Sequence, residues 1–433
     1  MKAMETREPA LSKVEGRGSA GQHQACPEPV ERGAAMKKGW QTKRLGDVVT
    51  RLTNGFVGPT RNIYHETGIP YLLARHVRNN NLLFDGRTFI TDEFNQKNKK
   101  SMLKAGDVLL VQSGHIGHSA VVTEEHEGHN CHAMIVISPV KDAITGPYLS
   151  LFFNSPDMQR GFEEIRSGST VPHLTCGAVK ELQIPVPPLA EQQRIVGLLD
   201  EAFEGLATAK ANAEKNLQNA RALFESHLQS VFTQRGPGWE LKTLEEIATT
   251  FGRGKSKHRP RNEPKLYGGK YPFIQTGDIR NADHFITEYS QTYSELGLAQ
   301  SKLWPKGTIC ITIAANIAET AILGFDACFP DSVIGVVANP KDAEVDFVEY
   351  LLQSFKARIQ ALGKGSAQAN INMGTFENER FPFPPVAEQK EIVEKLDDLR
   401  EETQRLARLY ERKHAALGVL KKSLLHQAFT GEL

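Results

Sequence analysis

Segments of this chain recur in the same order at a spacing of about 200 residues, and this long-period duplication limits the fold more than any local motif. GWQTKRLGDVVT, starting at Gly39, returns as GWELKTLEEIATT from Gly238. IPYLLARHVRNN from Ile69 returns as YPFIQTGDIRNA from Tyr271, and KAGDVLLV from Lys104 as PKGTICIT from Pro305. GPYLSLFFNS from Gly146 matches VDFVEYLLQS from Val345, and PVPPLAEQQRIVGLLDE from Pro185 matches PFPPVAEQKEIVEKLDD from Pro382. Matches in one order with so little drift do not arise by chance. The chain is one unit written twice.

Each copy opens with a lobe of short β-like runs, such as Asp107–Val111 and Thr308–Ile313, set between Gly, Asn and Pro. A Pro-Pro pair follows, Pro187-Pro188 and later Pro384-Pro385, and then a proline-free stretch, Leu189–Thr233 and Val386–Thr430. Proline at the first turn signals a helix start, and Glu191 and Glu388 suit the positive end of the helix dipole. In the second stretch Ile392, Leu396, Leu399, Leu406, Tyr410, Leu417, Leu420 and Leu424 step by three and four, with Thr403 and Lys413 as polar exceptions. The first gives Ile195, Leu199, Ala202, Leu206, Ala209 and Ala213, then shifts phase to Leu217, Ala220, Phe224, Leu228 and Val231. These are coiled-coil seams, the first with a stutter.

A helix of about 45 residues is roughly 65 Å long, more than a small lobe can bury. Either each helix packs on its own lobe, or the two seams bury each other; the length and the many alanines favour the second. The linker QRGPG (Gln234–Gly238) favours a reversal, hence antiparallel pairing. The expected fold is α/β (α+β): two similar lobes joined by two long antiparallel coiled-coil helices with pseudo-two-fold symmetry.

Composition narrows the class. An apolar fraction of 40% over 433 residues suits two or three soluble domains, each with its own core. No apolar run approaches the roughly 20 residues of a membrane-crossing helix, and no signal peptide is visible. Cys26, Cys131, Cys176, Cys310 and Cys328 are odd in number and form no CxxC pair, which fits a reducing cytoplasm. The formal net charge is only +1, so a nucleic-acid partner requires the positive charge to be gathered in patches. Residues 1–35 lack periodicity and read as a disordered extension, with Met36 as the expected natural start.

A rigid spacer between similar but diverged lobes suits DNA, where paired modules meet successive grooves at a separation set by the protein frame. Two such lobes, each followed by a helix that begins at PVPPLAEQQRIV or PFPPVAEQKEIV and ends near HLQSVFT or LHQAFTGEL, resemble the specificity subunit of a type I restriction–modification enzyme. The resemblance runs from Met36 to Leu433. It implies target-recognition domains at 36–187 and 237–384 and spacer helices at 188–236 and 385–433. It implies a non-catalytic, cytoplasmic subunit that reads an asymmetric bipartite site in double-stranded DNA. The implied partners are two methyltransferase subunits using S-adenosylmethionine and two restriction subunits using ATP and Mg²⁺, with no cofactor in this chain. The alternatives are the recognition module of a stand-alone methyltransferase or nuclease, and a coiled-coil scaffold. VPPL and FPPV lack the Asp or Asn of a [DN]PP[FYW] methyltransferase motif, and no GxSxG elbow occurs.

Candidate DNA contacts follow from residue chemistry. Gly252–Lys270 carries Arg253, Lys255, Lys257, His258, Arg259, Arg261, Lys265 and Lys270 against Glu263 alone, which suits phosphate or else a solvated loop. Matched turns bear Arg75, His76, Arg78, Asn79 and Asn80 in one copy and Gln275, Thr276, Asp278, Arg280 and Asn281 in the other. Arg, Asn, Gln and Asp are the side chains that read base edges, although ordinary polar turns use them too. Arg78 and Arg280 occur in both copies and suit a phosphate or a structural carboxylate. Before the helices, Ser169, Thr170 and His173 match Gln368, Asn370 and Asn372, as groove contacts or as a capped hinge. Ser113, His115 and His118 lie on a Gly-rich turn whose counterpart holds Ala315, Asn316 and Glu319.

Three motifs are set aside. Gly254-Lys255-Ser256 ends like a phosphate-binding loop, but Thr249 stands where its first glycine belongs. His115-Ile116-Gly117-His118 matches a synthetase tetrapeptide without that family's second motif. His126, His129, Cys131 and His132 could in principle hold zinc, but nothing in the second copy echoes them.

Overall fold

The computed structural model describes residues 37–433 other than 61, 79, 169–171, 258–259, 315, 364–370 and 372. The expected extension and start at Met36 lie outside the described residues. The chain divides into two compact units, one comprising Met1–Ala207 with Leu417–Leu433 and the other Thr208–Ala416. Each holds one lobe and a segment of both long helices.

In the first unit a two-stranded ribbon closes the lobe, pairing Gln41–Arg44 with Gln183–Val186 just before the Pro-Pro pair. The main sheet is antiparallel, in the order Val49–Asn54, Met134–Pro139, Val108–Val111, Ser119–Val121. Val108–Val111 and Met134–Ile137, at its centre, are apolar at every position because both faces are covered. Val108, Leu110, Ile135 and Ile137 face a core shared with helix Gly146–Phe153, while Leu109, Val111, Met134 and Val136 pack with Leu72, Val77 and Cys131.

The second unit repeats the plan. Its ribbon pairs Glu240–Lys242 with Phe381–Phe383. Its sheet runs Ala248–Arg253, Val333–Ala338, Ile309–Thr312, Thr320–Leu323, with a short parallel edge strand Phe285–Ile286. Ile309, Ile311, Ile334 and Val336 form the helix-side core with Phe347 and Leu351; Cys310, Ala321, Leu323 and Val333 face the other way.

The proline-free stretches are single α-helices, Leu189–Thr233 and Val386–Thr430, of 45 residues each. In the first unit, Ile195 and Leu199 from one helix and Leu425, Ala428 and Phe429 from the other enter the lobe core. Phe429 lies edge-on to Tyr148 and Phe152, each at 5.3 Å. In the second unit Phe232, the matching position of the other helix, meets Phe347 at 5.3 Å, and Leu228 and Leu396 share that core. The helices also meet each other. Lys421 Nζ sits 4.5 Å over the Phe203 ring in the first unit, and Arg221 pairs with Glu411 at 2.8 Å in the second. Numbers rise along one helix as they fall along the other, so the pairing is antiparallel. The two packing readings are not exclusive: the helices bury one another and the lobes together.

The seam departs from expectation beyond Tyr410. His414, Leu417 and Lys421 are the half-buried positions, whereas Lys413 faces solvent and Leu420 is 46% exposed. Leu406 to Tyr410 and Tyr410 to His414 are consecutive steps of four, so this helix stutters too. The alkyl stem of Lys421 takes the place expected of a leucine. Among the described residues no helix is long and apolar enough to cross a membrane.

A fully buried glutamine fixes each helix to its lobe. In PPLAEQ and PPVAEQ the last residue is Gln192 or Gln389, both 0% exposed. Gln192 Oε1 accepts from the Thr145 N–H at 2.9 Å, and its Nε2 donates to the carbonyls of Ala143 and Pro187, each at 2.9 Å. Gln389 accepts from the Glu344 N–H at 2.8 Å and donates to Asp342 at 3.1 Å and Pro384 at 2.8 Å. Only a side-chain amide offers an acceptor and two donors at one point. Gln389→Ala orphans three backbone groups and is expected to cost on the order of 3 kcal/mol, read as a lower urea midpoint at unchanged slope. The preceding glutamates have partners beyond the helix dipole. Glu191 is held down to about 2 by hydrogen bonds from Arg194 and Lys37, and Glu388 accepts from Trp239 Nε1 at 2.9 Å.

Candidate nucleic-acid interface

In the first lobe one rim gathers several of the sequence candidates. The turn between strands Val108–Val111 and Ser119–Val121 carries Ser113, His115 and His118. Ser113 bridges to His173, whose backbone exchanges hydrogen bonds of 2.8 and 2.9 Å with Ser167. The short hairpin of Val77–Arg78 with Asn81–Leu82 reaches the same edge, where Asn80, at a φ of 65°, bridges to Ala120. His115 and His118 stack with ring centres 5.5 Å apart. Burial, then His115 and Arg78, push His118 below the usual imidazole range, so its ring stays neutral at pH 7. Gln159 supports the turn from helix Pro156–Ile165 by donating to the Gly117 carbonyl at 3.0 Å. Arg78, Asn80, Ser113, His115 and His173 are thus brought together.

Arg75 and His76 serve a different partner. Both face Asp85, Arg75 Nε at 2.9 Å and His76 Nε2 at 3.1 Å from its carboxylate. His76 is 1% exposed, accepts from the Leu73 N–H at 3.0 Å and packs on Phe84. Its imidazole braces the turn, and Arg75 is the side chain that reaches the surface there.

In the second lobe the matched turn is a short helix, Thr276–Asn281, with Gln275 at its cap. Asp278 is committed to local structure: one oxygen accepts from the Gln275 N–H at 2.8 Å and the other from Ser290 Oγ at 3.2 Å. Arg280 and Asn281 are exposed, and Arg280 Nη1 donates to Asn316 Oδ1 at 3.4 Å. Gln275 and Thr276 are half-buried.

The basic stretch is less bare than its local sequence. Arg261 donates to both Asp331 oxygens, at 2.8 and 2.9 Å, and Arg253 Nε donates to the Asp331 carbonyl at 2.7 Å. Lys270 pairs with Glu295 at 3.1 Å. Lys255 and Lys257 remain exposed, and among the described residues no carboxylate pairs with them. Asn79, Ser169, Thr170, His258, Arg259, Gln368, Asn370 and Asn372 lie outside the described residues.

The second unit also holds a cleft of 690 Å³ lined by Arg221, Phe224, Asp283, Lys356, Arg400 and Gln404. Beneath it, buried His284 lies 2.8 Å from both Asp346 and Glu349 and stacks on Tyr350 at 4.7 Å. Burial alone lowers this imidazole, but hydrogen bonds that it donates to the two carboxylates outweigh that and raise it to about 9. The folded value lies above the unfolded one. The stabilisation is therefore complete below pH ~6.5 and is lost as the pH climbs through ~9, a span of about 3 kcal/mol. Unfolding midpoints at the two ends of that window are expected to differ, and His284→Gln to remove the difference. Elsewhere, His126 and His129 meet edge to face at 5.6 Å, and no group of three or more His, Cys, Asp or Glu among the described residues is arranged for a metal.

The glutamines and the His284 cluster escaped sequence reasoning. The duplicated EQ was the available signal for the first. For the second, Thr320 donates to Glu349 at 2.9 Å where the first copy sets Ser119 3.1 Å from Ser150.

A family model described as the type I restriction modification DNA specificity domain matches this chain twice, over residues 37–217 and 237–411. The type I restriction enzyme MjaVIII specificity subunit of Methanocaldococcus jannaschii is 23% identical over 426 residues, covering 93% of this chain and 94% of the relative. The EcoKI specificity subunit of Escherichia coli is 21% identical, over 86% of this chain and 84% of the relative. The crystal structure of the HsdS subunit from Thermoanaerobacter tengcongensis has the same fold. It aligns with a TM-score of 0.66 at 21% identity, over 93% of this chain and all of that one.

Proposed function

The chain belongs to the type I restriction–modification DNA specificity family and carries the family's domain twice, and from that premise we propose that it reads an asymmetric bipartite site in double-stranded DNA. Each lobe, 36–187 and 237–384, is a target-recognition domain for one half-site. The helices, 188–236 and 385–433, set the span between them. Arg75, Arg78, Asn80, Ser113, His115 and His173 contact the first half-site, with His76 bracing their turn. Gln275, Thr276, Arg280 and Asn281 contact the second, with Asp278 capping their helix and Arg253, Lys255, Lys257 and Arg261 on the phosphates. Asn79, Ser169, Thr170, His258, Arg259, Gln368, Asn370 and Asn372 complete the set.

The subunit acts in the cytoplasm without chemistry of its own. Two methyltransferase subunits bring S-adenosylmethionine, and two restriction subunits bring ATP and Mg²⁺. The reading is carried by one observation: the lobes share sheet order and ribbon, yet place different side chains at matched rim positions, His115 against Asn316 and His118 against Glu319. Two frames with unlike rims suit two unlike half-sites. Sequencing the methylome of cells carrying the complex tests it. The expected motif has two specified parts around an unread gap, and one uninterrupted motif refutes the bipartite reading.

A further inference from the structure

We infer that Lys255 and Lys302 form a seat for one backbone phosphate of DNA in the second lobe, with the buried Trp304 ring as its floor. The inference rests on the DNA-reading role proposed above and adds a residue, Lys302, that the sequence did not single out. Lys302 Nζ lies 3.6 Å from the centre of the Trp304 ring. Trp304 stacks on Phe329 at 5.0 Å. Gly254 is pressed against the same place: a Cβ there would lie 2.3 Å from the Phe329 carbonyl and 2.4 Å from that of Pro330. Ser301 Oγ donates to the Lys255 carbonyl at 2.8 Å, which ties the two lysine-bearing segments together. The floor is rigid, the Lys302 ammonium lies over it, and the segment that carries Lys255 is held beside it.

Among the described residues no carboxylate pairs with either lysine; the nearby Asp331 is occupied by Arg261. Two like charges held side by side are unfavourable until an anion lies between them. Burial, and then the neighbouring Lys255, push Lys302 below the usual lysine range, as such crowding requires. A phosphate relieves that repulsion, and the cation–π contact fixes where it binds. Among the described residues the first lobe has no such seat. At the matched positions Phe56 packs edge-on to Phe94 at 5.1 Å, and buried Ser101 donates to Asn130 at 2.9 Å. Its glycine is retained, since a Cβ at Gly55 would lie 2.5 Å from the Cys131 carbonyl. The duplication kept the scaffold and placed the charge in one copy only.

The test uses the full chain assembled with its modification partner and a duplex carrying the methylated motif. Affinity is measured over a salt series for wild type, for Lys302→Arg and for the Lys255→Met, Lys302→Met double variant, whose thermal midpoints are checked first. The double variant is expected to bind on the order of tenfold more weakly and to lose about 0.9 from the salt slope, one phosphate's worth. Lys302→Arg is expected to keep both values. Neutral methylphosphonates, introduced one at a time, are expected to weaken wild type at one position in the second half-site and to leave the double variant unaffected there. An unchanged slope without such a position overturns the inference. So does inorganic phosphate that raises the thermal midpoint of wild type alone while the DNA slope stays the same, because the seat then serves a free anion. Wild type that discriminates no sequence is a different failure, that of the DNA-reading proposal.

Discussion

Exchanging residues 39–187 for the matching lobe of a relative with a different target is expected to change one half of the methylated motif and leave the other half and the gap intact. The lobe is a sound unit of exchange because it is closed by its own ribbon, Gln41–Arg44 on Gln183–Val186, and one of its two cores, around Leu72, Val111 and Val136, takes in no residue of the long helices. The boundaries fall outside the ribbon. The donor must keep what the helices use: aromatic rings at Tyr148 and Phe152 for Phe429, and the backbone at Ala143 and Thr145 for Gln192. With these retained the helices meet an unchanged base while the rim is new. Each wrong base pair costs about 1–3 kcal/mol, so three in one half-site remove on the order of 6 kcal/mol, some four powers of ten in affinity. The original motif is therefore expected to disappear from the methylome. If both halves change together, the lobes do not read separately.

How far the sequence leads is visible in particular residues. Duplication and proline placement delimit the two long helices, since Leu189–Thr233 and Val386–Thr430 are both the proline-free stretches and the helices themselves. Apolar runs such as Val108–Val111 announce strands but not that both faces are covered, because a continuous run looks the same in either case. Charge is the harder problem. Gly252–Lys270 reads as almost purely basic, and its neutralising groups, Asp331 and Glu295, arrive from elsewhere in the chain through the fold. Asp278 and His76 look like base readers by residue type and instead hold a helix cap and a turn. Residue type limits what a side chain can do; its neighbours decide which of those things it does. Leu420 makes the same point, since a stutter turns an apparently regular seam residue out to solvent.

Lengthening both long helices by one turn, four residues after Ala207 in the first and four after Ala416 in the second, is expected to widen the unread gap by about two base pairs. Four residues add about 6 Å of helix, and a base pair occupies about 3.4 Å of duplex. Both insertions are needed because the pairing is fixed on either side of these points: Phe203 with Lys421 in one unit, Arg221 with Glu411 in the other. Extending the first helix alone leaves one of these pairs in register and shifts the other by four residues. Either Leu425, Ala428 and Phe429 leave the first lobe's core, or Leu228 and Phe232 leave the second's. Loss of a single buried phenylalanine costs about 3–5 kcal/mol, so the one-sided variant is expected to fold poorly and methylate little. The paired variant keeps every one of these contacts and changes only length. Its methylome is the decisive measurement: both half-sites unchanged with a longer gap means the helices set the span, whereas an unaltered gap in a folded, active complex means that something other than these helices does.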